Sequence, residues 1–378
     1  MKAKNNLLID CHVFDEIYQG TTTFLSNLIQ GLIDGNYELD IFLCAYDTCK
    51  LEQLFGIHDN VKYVKLNSLN KFYRLSYDIP RIIIRNNINY ALFNYILPFF
   101  RPSKCNYLLV VHDVLFKDFP IYYSWHYRLR LNVLISLSIR KCQRLYTVSN
   151  YSAERLLYYY DFVQSVSVIP NSIGKRYVSF YNSHSNPRNL LNSDCEYLKY
   201  KYNIEHYLLY VSRIEPRKNH KTLIEVYEEL ELWRQGIKLV FVGAMAFSDQ
   251  NFRKTLDRVN VKSNYNILLL DGVSDDDLIV LYKNARINFY LSICEGFGIP
   301  PLESAYIGTS TICSKLTAMS DYDFFGNFHV NPEDKGEIKE AVKCLLDKSE
   351  DEELETIANL IAIKYSVESM AASFYRSL

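Results

Sequence analysis

Short apolar runs of strand length recur through the sequence, with amphipathic helical patterns between many of them. In the first half they fall at 7–9, 39–44, 61–66, 90–93, 107–111, 145–148 and 166–169. In the second half they fall at 207–212, 239–243, 266–270, 287–291 and 311–313. Helical patterns at 23–33, 75–86 (with Pro80 inside or at its start), 122–141, 150–160 and 222–232 separate several of these runs, and 337–347, 352–364 and 366–378 form a helical tail. Such alternation predicts α/β architecture with mainly parallel, doubly wound sheets. A chain of 378 residues should hold about two domains, each able to bury its own core. The polar stretch 174–200, rich in Ser, Asn and Tyr, reads as a linker with little regular structure before a helical turn near Tyr197.

Formal net charge is −1, so no bulk attraction to nucleic acid follows. The distribution is uneven: residues 71–144 hold 12 Lys/Arg against 3 Asp/Glu, which predicts that the first half faces something anionic. Two readings are open for 122–141, YYSWHYRLRLNVLISLSIRK. One is an interfacial surface meeting anionic lipid; the other is a core helix with a solvated cationic edge. Nine scattered cysteines without a CxxC pair argue against a disulfide framework and a zinc site, and for a reducing compartment. The N-terminal residues lack a signal-peptide pattern, and no apolar stretch is long enough to span a bilayer. A cytoplasmic protein is expected, with peripheral contact on the inner face of the plasma membrane if the interfacial reading holds.

Residues 287–308, INFYLSICEGFGIPPLESAYIG, read as strand, loop and helix. Pro300 and Pro301 suit a helix start and Gly308 suits its exit. Gly296 and Gly298 would let a ligand approach the backbone, and the helix start would offer free N–H groups to a phosphate. Glu295 and Glu303 frame the loop. A carboxylate beside a phosphate repels it, so with a phosphorylated ligand each would face a hydroxyl. Equally open from this segment alone is that Glu303 complements the helix dipole and Glu295 is solvated.

EGFGIPPLE resembles the E-x7-E signature of GT-B glycosyltransferases related to family 4, retaining enzymes that use nucleotide-sugar donors. The resemblance implies a GT-B fold: two doubly wound Rossmann-like domains facing across a cleft. It implies an N-terminal acceptor-side domain, 1–173, a nucleotide-sugar-binding domain, 174–360, and a final helix, 361–378, crossing back to the first domain. Weaker likenesses run along the chain. DEIYQGTTTF resembles the family's glycine-bearing first loop through Gly20, with Gln19 where relatives carry a second glycine. His112–Asp113 matches an HD pair whose His contacts donor sugar or acceptor; a satisfied structural His is the other reading, and Asp113 also suits a turn cap. VSNYS at 148–152 resembles a helix-starting stretch, and VIPNSI at 168–173 resembles the segment closing the first domain, with Ser172 in place of glycine.

SRIEPRKNH, 212–220, resembles a GRxxxxKN diphosphate-binding motif, with Ser212 in place of glycine. Arg213 and Lys218 would receive the diphosphate, one as a fork and one as a point charge, and Arg217 would be a solvated neighbour. DGVSDDDLIVLYKNA resembles the region whose valine backbone meets the nucleobase, which points to Val273. Ser274 and Asp277 fit a capping pair. The loop KLTAMSDY departs from the family's Pro-Glu and glycine pattern.

Together these imply a retaining hexosyltransferase acting on a glycan acceptor, a lipid-linked surface polysaccharide or O-antigen intermediate, with GDP-mannose the favoured donor. His112, Arg213, Lys218 and Glu295 are the catalytic candidates. Gly20, Val273, Gly296, Phe297, Gly298, Ile299 and Glu303 are the donor-binding ones. No metal or cofactor is expected beyond the nucleotide-sugar substrate, because cationic side chains would neutralise the leaving group. Rival readings are a non-catalytic nucleotide-sugar-binding subunit and a GT-B phosphorylase or epimerase.

Overall fold

Both halves of the chain form parallel sheets. The computed structural model describes residues 4–16, 20–183, 192–245, 250–347 and 353–378. It divides into one unit comprising 1–172 with 365–378, and another comprising 173–364.

The first unit carries β1 (Asn5–Asp10), β2 (Leu39–Ala45), β3 (Val61–Lys65), β4 (Tyr90–Asn94), β5 (Asn106–Val110), β6 (Arg144–Thr147) and β7 (Ser167–Val168), in spatial order β3-β2-β1-β4-β5-β6-β7. Every pair is parallel. The central strands are apolar on both faces, with Leu7, Leu8, Ile9, Leu92, Phe93, Leu108 and Leu109 at most 1% exposed. Each such side chain contributes about 1.5–3 kcal/mol when fully buried. The strand order reverses at β1, between β2 and β4. In open sheets of this kind, ligands bind beyond the carboxyl ends of the strands at that reversal.

The first helix, Gly20–Asp34, begins earlier than the apolar period alone suggests, so Gly20 opens a helix rather than sitting inside a loop. Gln19 lies outside the described residues. Against this helix packs the last one, Val367–Arg376. Gly31 permits the approach: a Cβ there would stand 2.7 Å from both Ala371 Cβ and the Val367 carbonyl. Tyr37 stacks on Tyr375 at 4.4 Å, and the Tyr146 hydroxyl and Ser377 Oγ hydrogen-bond at 2.8 Å. Asn27 donates to the carbonyl of Ser172, so the segment read as closing the first domain is bonded to the first helix.

The pattern at 75–86 becomes a composite helix: Lys71–Tyr73, a π-helical turn Arg74–Asp78, then Ile79–Arg85. Pro80 has no N–H for the carbonyl one turn back and its ring crowds that carbonyl, so the ladder widens there. The 122–141 pattern shortens to Trp125–Ile139, capped by Ser124. Only Ile135, Ser138 and Ile139 of it are buried, while Trp125, Leu129, Val133 and Leu137 are exposed. It is not a core helix.

The second unit carries β8 (Tyr207–Val211), β9 (Lys238–Val242), β10 (Ile267–Leu270), β11 (Ile287–Tyr290), β12 (Thr311–Ser314) and β13 (His329–Val330). Their order is β10-β9-β8-β11-β12-β13, again all parallel. Here the reversal falls at β8, between β9 and β11.

The stretch read as an irregular linker holds two helices, Lys175–Ser183 and Asn192–Tyr202; 184–191 lie outside the described residues. A few anchors override the polar composition. Tyr177 and Leu198 are buried, and Tyr197, Tyr202 and Lys201 all hydrogen-bond the carboxylate of Asp277. Asp277 therefore does more than cap. Its backbone N–H donates to Ser274 Oγ, and its side chain takes these three partners as well as the Ser274 side chain.

All nine cysteines are unpaired. Among the described residues, no helix is long and apolar enough to cross a membrane.

Candidate active site

The carboxyl ends of β8 and β11 are neighbours, and the loops leaving them are stitched together. After β8 the chain turns through a 3-10 helix, Pro216–Lys218, and Asn219 adopts a left-handed conformation, φ 58°. This turn aims Lys218 inward, where it is 7% exposed. After β11, Ile293 N–H donates to the Arg217 carbonyl at 2.8 Å, and Ser292 Oγ lies 3.1 Å from the same oxygen.

Glu295 sits where these loops meet, 8% exposed. Its Oε1 accepts from Lys218 Nζ, from Arg217 Nη1 at 2.9 Å and from Ser292 Oγ at 2.6 Å. Burial pushes the carboxyl up, but the charges of Arg217 and Lys218 outweigh it and hold the pKa at about 2. Lys218 also donates to the Tyr290 hydroxyl at 3.0 Å. Burial pulls the pKa of Lys218 down while Glu295 supports its charge. Among the described residues nothing hydrogen-bonds Oε2 of Glu295, which leaves one carboxylate oxygen for a ligand hydroxyl.

Arg217 is thus not a solvated neighbour. Its guanidinium bridges Glu215 at 2.6 Å, Glu295, and the Cys294 carbonyl at 2.9 Å. Arg213, by contrast, is exposed and has no ion pair or hydrogen bond among the described residues. It shares the loop with Lys218 without touching it.

The helix Pro300–Tyr306 offers less to an anion than its sequence suggests. Its first two residues are prolines and have no N–H. The next two amides, Leu302 and Glu303, already donate to the Ile299 carbonyl at 2.9 and 3.1 Å. The amides of Gly298 and Ile299 donate to no protein acceptor among the described residues. Gly298 needs its freedom: φ is 93°, and a Cβ would lie 3.2 Å from Tyr290 and 3.3 Å from Met319 Sδ. The Phe297 ring turns inward, 6% exposed, edge-on to Tyr322, whose hydroxyl donates to the carbonyls of Phe297 and Gly298 at 3.0 and 3.1 Å. Gly296 lies between Glu295 and this pair.

Glu303 follows in the same helix. Burial raises its pKa to about 7, against the opposing pull of the Tyr177 hydroxyl, the Arg176 charge and the Tyr282 hydroxyl. Tyr282 OH donates to its Oε2 at 3.4 Å. Val273 lies at the carboxyl end of β10 beside Gly272, whose φ is 65°, and is partly exposed.

His112 belongs to the first unit, just past β5. It is 7% exposed, edge-on to Phe24 at 4.9 Å, and its Nε2 donates to Asn94 Oδ1 at 2.9 Å. Burial lowers its pKa to about 3, which favours the neutral ring near pH 7. Asp113 caps the turn through Leu115 N–H at 3.1 Å and accepts from Tyr95 OH at 3.5 Å. Gly20 is exposed, and a Cβ there would meet nothing within 4 Å.

Sequence reasoning missed Arg217, Ser292, Tyr290, Thr317 and Tyr177. Thr317 lies in the atypical loop KLTAMSDY; its Oγ1 accepts from Glu295 N–H at 3.0 Å, so that loop supports the site from behind. Only Arg217 left a signal, as a second cation inside the basic turn. The others are set by contacts distant in sequence.

Residues 18–174 match the family described as Glycosyltransferase Family 4, and 199–359 match Glycosyl transferases group 1. The O-antigen chain mannosyltransferase RfbU of Salmonella typhimurium is 27% identical over 245 residues, covering 64% of this chain and 61% of the relative. The serotype-specific mannosyltransferase WbdA of Escherichia coli is 26% identical over 234 residues, 60% of this chain and 27% of the relative. The chain thus spans about three fifths of the first relative's length and about a quarter of the second's. A glycosyltransferase structure from Rickettsia africae superposes with a TM-score of 0.72 at 16% identity, covering 99% of this chain and 97% of the other. The fold is GT-B, and the chain belongs to the glycosyltransferases of group 1 and family 4.

Proposed function

We propose that the protein transfers a hexosyl unit, with retention, from a nucleoside-diphosphate sugar to a lipid-linked surface glycan of O-antigen type. The observation that carries this is the joining of Lys218, Arg217 and Glu295 at the strand-order reversal of the second sheet, beside the open amides of Gly298 and Ile299. Lys218 and Arg213 neutralise the charge that grows on the departing diphosphate, the largest electrostatic demand of such a step. Oε2 of Glu295 accepts a donor-sugar hydroxyl, Glu303 accepts from the ribose diol, and Val273 meets the base. The mannosyltransferase relatives favour mannose, and GDP-mannose is the donor we put first. With these cations in place, transfer needs no divalent ion and persists in EDTA.

A thermal-shift panel of UDP-, GDP- and dTDP-sugars, followed by transfer from the best donor in EDTA, tests this; the product's anomeric configuration by NMR tests retention. Stabilisation by GDP-mannose and an α-linked product support the proposal. Donor binding without turnover, or turnover only with inorganic phosphate, would replace it with one of the rivals.

Glu303 gives the donor step a pH signature. A pair of diol hydroxyls donates best to the ionised carboxylate, whose two oxygens both accept, so the donor favours that form and lowers the Glu303 pKa below its free value of about 7. Donor affinity therefore falls as pH drops through 7. At pH 6 about a tenth of the protein carries ionised Glu303, so the apparent donor Kd rises roughly 5- to 10-fold over its high-pH value. Glu303→Gln flattens the profile. A wild-type donor Kd constant from pH 8 to 6 would remove Glu303 from the site. The sign for folding is opposite to that of Glu295: because the folded pKa lies above the usual 4.5, burying Glu303 costs stability as pH rises from about 4.5 to 7.

The first unit carries the surface for membrane contact. Phe72, Tyr77, Ile84, Phe99 and Phe100 are exposed around Arg81, where they line an open groove of about 560 Å³. Ile121 and Trp125 are 83% and 63% exposed. Vesicles containing phosphatidylglycerol should sediment with the protein at low salt and release it at high salt, while neutral vesicles should not. Equal retention by both would defeat this reading.

A further inference from the structure

Arg74 is buried, and its Nε hydrogen-bonds nothing among the described residues. It opens the π-helical turn Arg74–Asp78 and is 5% exposed. Its nearest acid is Asp10, at the carboxyl end of β1, with Nε 3.6 Å from Oδ2, too long for a hydrogen bond. His12 Nδ1 stands closer to the same oxygen, at 3.2 Å. A guanidinium that is 5% exposed, with its Nε buried and unbonded and Asp10 held only at ion-pair distance, is incompletely satisfied. A ligand that supplies oxygens at that spot resolves it.

The surrounding charge says what kind of ligand. Lys71 stands one turn before Arg74, and the charge of Arg130, on the helix Trp125–Ile139, acts on Lys71. Burial and then the neighbouring charges of Arg74 and Arg130 pull the Lys71 pKa down, while Glu16 and Asp10 pull it up. The groups facing Lys71 are therefore two arginines against two acids. One of those acids, Asp10, is already engaged by His12, and the other, Glu16, is exposed. Positive charge is in excess, and it sits beside the reversal of strand order between β1 and β4, the expected ligand position in such a sheet.

We propose that Lys71, Arg74 and Arg130 form an anion site on the first unit that takes a phosphoryl group, a phosphate ester or diphosphate, with Arg74 as the fork and the other two as flanking charges. A phosphoryl group matches this set better than a carboxylate, since it offers enough oxygens for a bidentate fork and two further cations. The site's existence does not depend on the transferase reading. Its occupant does: on that reading the group belongs to the acceptor, which is then a phosphate-bearing carrier rather than a neutral sugar.

Calorimetric titration of the full chain with inorganic pyrophosphate tests the site. Two variants probe it, Arg74→Gln and the double variant Lys71→Gln/Arg130→Gln, whose residues are solvent-exposed and whose fold is expected to be that of wild type. Arg213→Gln separates out binding at the donor loop. The expected result is a pyrophosphate site that survives Arg213→Gln and weakens at least tenfold in either of the other variants. Undiminished binding in the double variant overturns the proposal, even if Arg74→Gln fails to fold. A transfer assay then compares one acceptor sugar as an alkyl diphosphate and as a neutral alkyl glycoside. KM should rise at least tenfold in the double variant for the first and stay unchanged for the second, with donor KM unaltered. Lost pyrophosphate binding with an unchanged acceptor KM overturns the acceptor assignment in favour of free phosphate. Lost pyrophosphate binding in a protein that transfers no sugar at all keeps the anion site and overturns the transferase reading instead.

Discussion

Lys218→Met is expected to lower turnover by roughly 10²- to 10³-fold, the usual effect of removing one preorganised group that stabilises transition-state charge. Methionine keeps most of the volume, so little of the loss should come from a cavity. The donor KM should move less than kcat, because the lysine matters most once the sugar–diphosphate bond is breaking. Stability should fall as well. Lys218 Nζ is bound to Glu295 and to the Tyr290 hydroxyl in a site that excludes water. Removing one partner of a buried pair costs about 3–5 kcal/mol, and the retained Arg217 contact places this case near the lower end.

The pH dependence follows from the sign of the Glu295 shift. Its folded pKa of about 2 lies below the usual 4.5, so its contribution is present above 4.5 and is lost as pH falls toward 2. With one cation gone the folded pKa rises, and acid unfolding should begin at higher pH. Denaturant melts at pH 7 and pH 4 measure this. Lys218→Met combined with Glu295→Met should recover much of the stability and none of the turnover, since no buried charge is then left between mismatched partners. Turnover above a tenth of wild type in Lys218→Met would end the assigned role.

Gly243→Ala should be nearly as damaging, through backbone alone. Gly243 follows β9 with φ 141°, and a Cβ there would stand 2.3 Å from the Ser212 carbonyl oxygen and 3.2 Å from Arg213 N. An alanine must therefore push away the segment that carries Arg213 while holding an unfavourable conformation. The conformational part costs about 1–3 kcal/mol, and displacement of the neighbouring strand end brings the expected total to about 3–4 kcal/mol. A misplacement near 1 Å at a positioning group costs about 10² in rate, so turnover should fall by that order even where the variant is folded. Gly174→Ala is the control. Its nearest neighbours lie at 3.8 Å and its φ is not positive, so thermal stability should stay within roughly 0.5 kcal/mol of wild type. A Gly243→Ala protein with unchanged melting and turnover would show that the close approach does not hold the loop.

Much of the fold was legible because parallel strands covered on both faces must be apolar throughout, as at Leu7, Leu8 and Ile9 or Leu208 and Leu209. The two-residue strand His329–Val330 was too short to leave such a run. The helices Thr48–Phe55 and Gln250–Lys262 were not assigned from the sequence. The first is short and the second largely polar, with Phe252, Leu256 and Val259 as its buried residues. The helices at Lys175–Ser183 and Asn192–Tyr202 were hidden by composition: Tyr177, Leu198 and the contacts to Asp277 outweigh many polar residues whose propensities favour neither state.

The site divides along the same line. Local turn and helix signals put Arg213, Lys218 and Glu295 on loops beyond strand ends and Glu303 in a first helical turn, and the resemblance to the family signature singled them out as one candidate site. The sequence could not tell which cation is buried and which stands open, that Arg217 is tied to Glu295, that two prolines and a carbonyl close the helix start, or that Glu303 titrates near 7. Those properties arise from desolvation and from partners up to about eighty positions apart along the chain, such as Lys218 with Glu295, and only the folded arrangement brings them within reach.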